Sequence, residues 1–450
     1  MKILPKHFSD AKRSLFQSAV REARQALGAT KQKGLVRDDP HVQAAANVLA
    51  DENAEQKDGT LEVCAKLAWD LVKAHLSGDK DRIEALENQL KYSTCDAVGW
   101  AKVVEIYLSY YHGGKEPEYR TYNPSDISTA SVYSMPDTPL TVGVIGDWGT
   151  GEEVASVVLE EVFKHEPDIL IHVGDIYYAG TPNEAQTNFL DIINAARLKP
   201  SQGKSRAIPV YNLPGNHDYY SGGQGFFHTL DQLNLPPYVA EGTELQQTSF
   251  FCLRNNHWQL QGMDTGYYDH DLFKVGEDVT HLHDSEIQWH KDKIQSADGR
   301  KIILFSHHQL FSSFLAINKQ TYNPALLSPF QNAIDSGQVA AWLWGHEHLL
   351  ELYGPHLNLK AGRCVGNGAF PELASGSPYT ELDPTKYQDI PPLLQDPNTG
   401  TFYQTGISEE VINHGYAILN LNETSAEAAY YQVPGDGMSQ SSSLVFKESL

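Results

Sequence analysis

LTVGVIGD, residues 140–147, is the stretch whose reading decides the fold. A short apolar run rich in β-branched residues breaks off at a glycine and an aspartate, as a buried strand does where it gives way to a loop. Two more runs repeat the plan: DILIHVGD at 168–175, and 207–213 leading into Gly215-Asn216-His217-Asp218. Between them, 152–165 and 183–198 have helical spacing. Strands that alternate with helices predict βαβ units and a parallel sheet.

Downstream, 250–263 reads as two strands turning at Asn255-Asn256. Segments 301–305 and 339–344 are further buried strands, with a helix over 285–294 before the first. A closing hairpin is predicted from 416–421 and 426–432. Upstream the character changes. Gly113-Gly114, Pro117, Pro124, Pro136 and Pro139 punctuate a Ser/Thr/Tyr-rich stretch that reads as linker. Before it, apolar residues recur at helical spacing (Leu15, Phe16, Ala19, Val20, Ala23; Cys64, Leu67, Ala68, Leu71; Trp100, Val103, Val104, Tyr107). The predicted organisation is an all-α helical N-terminal domain over 1–112, a linker over 113–139 and an α/β domain over 140–450.

A chain of 450 residues exceeds one ordinary core. Thirty-four Lys and Arg against 57 Asp and Glu give a net charge of −23, which argues against a general nucleic-acid binder. A bound metal could still attract a phosphorylated substrate. No run approaches 18 apolar residues, so no membrane span is expected. Lys12, Arg13, Arg21 and Arg24 break up the start of the chain, so no secretion signal is read and a cytoplasmic location is expected. Cys64, Cys95, Cys252 and Cys364 are widely spaced and read as buried thiols.

Five short motifs follow the predicted strands: Gly146-Asp147-Trp148-Gly149, Gly174-Asp175-Ile176-Tyr177-Tyr178, Gly215-Asn216-His217-Asp218, Ser306-His307-His308 and Gly345-His346-Glu347-His348. Each alone could be a turn. Together they put oxygen and imidazole donors at the carboxyl ends of strands, where loops of α/β sheets converge. Carboxylate, amide and imidazole without thiolate suit iron, manganese or zinc. The donors outnumber what one tetrahedral ion takes, so a pair of ions about 3.5–4 Å apart is implied. His346 and His348, two apart, project to the same side and can feed both ions; Glu347 between them cannot.

On these motifs the sequence resembles the calcineurin-like metallophosphoesterase superfamily, and within it the purple acid phosphatases, from about Leu140 to the C-terminal hairpin. The resemblance implies a four-layer α/β/β/α sandwich. It implies that Asp175 bridges two metal ions, that Asp147 and His348 hold the first, and that Asn216, His307 and His346 hold the second, with His217 as the catalytic histidine. Many members have a histidine where this chain has Gly149 and an aspartate where it has Tyr178. The resemblance to purple acid phosphatases makes Tyr178 a phenolate ligand of the first ion; strand alternation would turn Tyr177 the other way if the strand continues. The implied metals are iron with iron, zinc or manganese.

The implied reaction is hydrolysis of a phosphate monoester by metal-bound hydroxide, on a phosphorylated small molecule or protein. Competing readings are a phosphodiesterase with the same ions and a phospho-ligand-binding scaffold without turnover. His308 is a candidate substrate contact. His270, His281 and His283 read as part of a solvated loop, and His172 as a core histidine. The N-terminal helical part has three open roles: lid, oligomerisation surface or partner-binding unit.

Overall fold

The computed structural model describes residues 106–107, 109–111, 114–199, 207–271, 280–408, 411–435 and 441–450. The helical reading of 1–112, with Cys64 and Cys95, lies almost wholly outside the described residues. In chain order the elements are β1 (Val132–Ser134), β2 (Leu140–Ile145), helix α1 (Glu153–Lys164), β3 (Ile169–His172), α2 (Asp191–Leu198), β4 (Val210–Asn212) and α3 (Gln224–Leu233). Then come β5 (Phe251–Arg254), β6 (Trp258–Gly262), α4 (Asp284–Gln295), β7 (Lys301–Phe305) and β8 (Val339–Trp344). The chain continues through β9 (Leu350–Leu352), β10 (Gly362–Val365), β11 (Ile407–Ser408), β12 (Val411–Ile412), β13 (His414–Leu421), β14 (Ala426–Val433) and β15 (Ser443–Ser449).

Two mixed sheets face each other. One has six strands in the order β15-β14-β13-β2-β3-β4, the other seven in the order β1-β5-β6-β7-β8-β10-β9. β2, β3 and β4 are parallel, as are β6, β7 and β8. Alternation along each strand sorts the apolar residues into layers. Val142, Val144, Ile171, Leu253, Leu260, Ile303, Phe305 and Leu343 point inward into one core shared by both sheets. The intervening residues face outward. Ile145, Leu170 and Val210 meet Val158 and Val162 of α1 and Ile193 of α2. Ile302, Leu304, Trp342 and Trp344 meet Leu326, Phe330 and Ile334, and Cys252 meets Trp289 of α4. The result is helix, sheet, sheet, helix, as the resemblance implies. The buried face of α1 follows the helical repeat through Val154, Val158 and Val162, with Glu153 in its first turn and Lys164 in its last complementing the helix dipole.

The stretch read as linker is folded. Val132–Ser134 extends the seven-stranded sheet by pairing in parallel with β5. Ahead of it, Tyr119 stacks on His283 and Arg120 pairs with Asp231. The tyrosines in that stretch supply the packing area that ties it down. Cys252 and Cys364 are buried free thiols, in line with the sequence reading. Among the described residues no helix is long and apolar enough to cross a membrane.

Candidate metal centre

All five motifs begin where a parallel strand stops. β2 delivers Asp147, β3 Asp175, β4 Asn216 and His217, β7 His307, and β8 His346 and His348. Asp147, Asp175, His346 and His348 all have positive φ, between 53° and 74°. Non-glycine residues adopt that conformation at a cost, and here it swings each side chain from its strand into the seam between the sheets. The flanking glycines make room. A Cβ on Gly215 would lie 2.0 Å from Asp175 Oδ1, and one on Gly345 would lie 2.4 Å from Asp147 Oδ2.

On one side of the seam, His307 donates Nδ1–H to the Val173 carbonyl at 3.0 Å, which leaves the lone pair on Nε2. That lone pair faces Asn216 Oδ1 at 3.2 Å and Asp175 Oδ2 at 3.4 Å. His346 Nδ1 stands 3.3 Å from the same nitrogen. On the other side, His348 Nε2 lies 3.5 Å from Asp147 Oδ1, and the Tyr177 hydroxyl donates to that oxygen at 2.9 Å while standing 3.0 Å from His348 Nε2. The backbone N–H of His346 donates to Asp147 Oδ2 at 2.8 Å. Ligand atoms of Asp147, Asp175 and His307 lie within 4.8 Å of one another, as do those of His307, His308 and His346. Glu347 turns away and takes a hydrogen bond from Ser312 at 2.5 Å.

The electrostatics are those of groups awaiting a cation. Burial raises the Asp175 carboxyl well above its usual range, and Asp147 and Asp218 push it further. Burial drives the His307 imidazole well below its usual value, aided by His308 and His346. For His348, burial disfavours the charged ring, but the hydrogen bonds it donates to the Asp147 and Glu372 carboxylates outweigh that and raise the group to about 10. A cation between these side chains would replace the missing proton on one side and the surplus proton on the other.

The family model for calcineurin-like phosphoesterase matches residues 140–350. Residues 140–350 are a calcineurin-like phosphoesterase domain. The fold is similar to that of the purple acid phosphatase PPD1 from yellow lupin (Lupinus luteus) seeds, at 13% identity and a TM-score of 0.43, over 70% of this chain and 54% of that one. It is also similar to GAP50, the anchor in the inner membrane complex of Plasmodium, at 11% identity and a TM-score of 0.41, over 69% of this chain and 88% of that one. Vacuolar protein sorting 29 from Cryptosporidium parvum aligns at 10% identity and a TM-score of 0.27, over 69% of this chain and 97% of that one. The chain spans about half the length of the lupin phosphatase. No curated protein matches the chain.

Within the phosphoesterase domain the donors fit a metal. Asn216 Oδ1, Asp175 Oδ2 and His307 Nε2 converge with 3.2 Å and 3.4 Å between the imidazole nitrogen and the two oxygens, close enough for one cation to be shared among them. Oxygen and imidazole donors at this spacing suit the hard or borderline ions that the sequence chemistry indicated.

The two tyrosines of the second motif take different places. The phenol joining Asp147 and His348 belongs to Tyr177, which is fully buried, and the Tyr178 ring packs beside Tyr107, Ala179 and Tyr220. The reading of Tyr177 as facing the other way assumed a continuing strand, but β3 stops at His172 and the chain turns through 177–179. Glu184 fixes that turn by accepting from the backbone N–H groups of Tyr178, Ala179 and Thr181 at 2.8, 3.2 and 2.9 Å. Alternation of side chains does not survive a turn.

The His217 Nδ1–H donates to the Tyr178 carbonyl at 2.6 Å, so its Nε2 faces the seam, 3.9 Å from Asp175 Oδ2. His308 has both ring nitrogens engaged, with Thr265 at 3.0 Å and Asp269 at 3.1 Å; contact with a substrate would require it to release one. His172 is a core residue bonded through Nδ1 to Asn212 at 2.7 Å. Sequence reasoning passed over Asp218, whose carboxylate accepts from the backbone N–H of Asp175 at 3.0 Å and of Gly215 at 2.8 Å, tying two ligand loops together. Burial pushes that carboxyl up to about 8 against the pull of those bonds. It also passed over Glu372, 3.7 Å from His348 Nδ1, since nothing in the local sequence around Pro371 marks a site.

Proposed function

We propose that the protein is a dinuclear metal-dependent hydrolase of phosphate monoesters, of the purple acid phosphatase type. The observation that carries this reading is the seam itself, where Asp175 stands between donors delivered by both sheets, with His307 Nε2 at 3.4 Å and a ligand atom of Asp147 within 4.8 Å. The proposed donors are Asp147, Asp175 and His348 for one ion and Asp175, Asn216, His307 and His346 for the other, with Tyr177 in the role that the sequence assigns to Tyr178. Iron paired with iron, zinc or manganese fits this set. When bound, such ions supply Lewis acidity toward phosphate oxygens and water.

The protein's own groups do the rest. The converging donors would fix the ions in the seam between the buried loops, where they would attract an anionic phosphate. His217 contributes the proton. With Nδ1–H committed to the Tyr178 carbonyl, a protonated Nε2 would be the ring nitrogen that donates to the departing alkoxide. The test is turnover of metal-loaded protein on p-nitrophenyl phosphate and on bis(p-nitrophenyl) phosphate. The monoester should react faster by a wide margin. A clear preference for the diester, or no turnover of either by protein shown to hold two ions, would overturn the assignment.

A further inference from the structure

Of the donors proposed for the second ion, Asn216 is the one that can be presented the wrong way round. An amide carries an acceptor oxygen and a donor NH2 of nearly the same shape, and a cation is held by the oxygen alone. Something must therefore choose between the two ends.

Asn216 opens the one-turn helix Asn216–Tyr219, and Tyr220 follows directly after it. Four residues along a helical turn place a side chain above the first, so the Tyr220 hydroxyl sits over the amide. Asn216 donates from Nδ2 to that hydroxyl at 2.6 Å, which turns Oδ1 toward His307 Nε2 at 3.2 Å. The tyrosine is not free to swing away. It is 2% exposed, packs among Tyr107 and Ala179, and lies against the His217 ring with centroids 4.8 Å apart. The backbone beside it is held from outside as well, because the Tyr111 hydroxyl donates to the Tyr219 carbonyl at 2.6 Å.

We propose that Tyr220 is a positioning residue: its hydroxyl holds the Asn216 amide with Oδ1 toward the second metal ion. This rests on the dinuclear reading above. Tyr220→Phe keeps the ring and removes the hydroxyl. Metal-loaded Tyr220→Phe should release its second ion to a competing chelator about 10–100-fold more readily than wild type and keep the first, the range expected when a partner of a ligand is lost. Thermal melting in excess chelator should match wild type, because the packing surface is retained.

Asn216→Asp supplies the sharper readout. A carboxylate offers an oxygen at either end and needs no orienting, so in an Asn216→Asp background the Tyr220→Phe change should alter second-ion release less than about threefold, well under the loss expected with the amide. Equal release by Tyr220→Phe and wild type, or an equal loss with Asp at 216, would overturn the inference while leaving the dinuclear reading standing. Wild-type protein that retains no ion at all would remove both.

Discussion

The two sheets contribute to the centre in different chemical currencies. The six-stranded sheet sends oxygen donors from the ends of β2, β3 and β4: Asp147, Asp175 and Asn216. The seven-stranded sheet sends nitrogen donors from β7 and β8: His307, His346 and His348. Alone, the first set holds two carboxylates that repel each other beside an amide, and in the second burial disfavours charge on His307. Only the seam between the sheets brings the two within reach, at 3.4 Å for Asp175 and His307 and 3.5 Å for Asp147 and His348. The candidate site is therefore a product of the sandwich closing, and neither half brings the proposed donors together by itself.

Asp175→Asn strikes that comparison hardest, since this residue meets donors of both sheets. Both ions should be lost on elemental analysis, and turnover should fall on the order of 10³-fold, as when a preorganised stabilising group is removed. Unchanged metal content would mean that the sheets are not linked through this carboxylate.

His217→Ala removes a side chain on the oxygen-donating side that is not itself a proposed ligand. Metal content should stay at the wild-type level while turnover drops about 10²–10³-fold, the usual contribution of a positioned proton donor. A rate equal to wild type would leave His217 without a role in proton transfer.

Tyr177→Phe is the mildest and separates two adjacent tyrosines. In the ferric protein it should abolish the visible phenolate band and loosen the first ion by about tenfold, whereas Tyr178→Phe should leave both unchanged. The reverse pattern would return the phenolate to Tyr178.

Much of this molecule is legible in its sequence. Runs such as 140–145, 169–172, 301–305 and 339–344 announce themselves because a strand buried on both faces must be apolar throughout. The motifs after them are legible because polar groups gather where such strands stop. β15 was not readable. Its residues alternate weakly and lie half exposed at a sheet edge, and it is anchored by a contact distant in sequence, the Arg363 guanidinium to Glu448 at 2.6 Å. β1 was hidden for a similar reason, because three residues in a proline-rich stretch become a strand only when β5 offers its edge.

By itself the sequence determined which candidate donor atoms exist and that they follow strand ends. Local patterns suffice there, since residue type and backbone period are properties of the chain. The tertiary structure alone decided which tyrosine enters the site, which way the Asn216 amide faces, and that Glu372 and Asp218 support the ligands. Those choices depend on turns, buried hydrogen bonds and neighbours far away in the chain, and no short window of residues contains them.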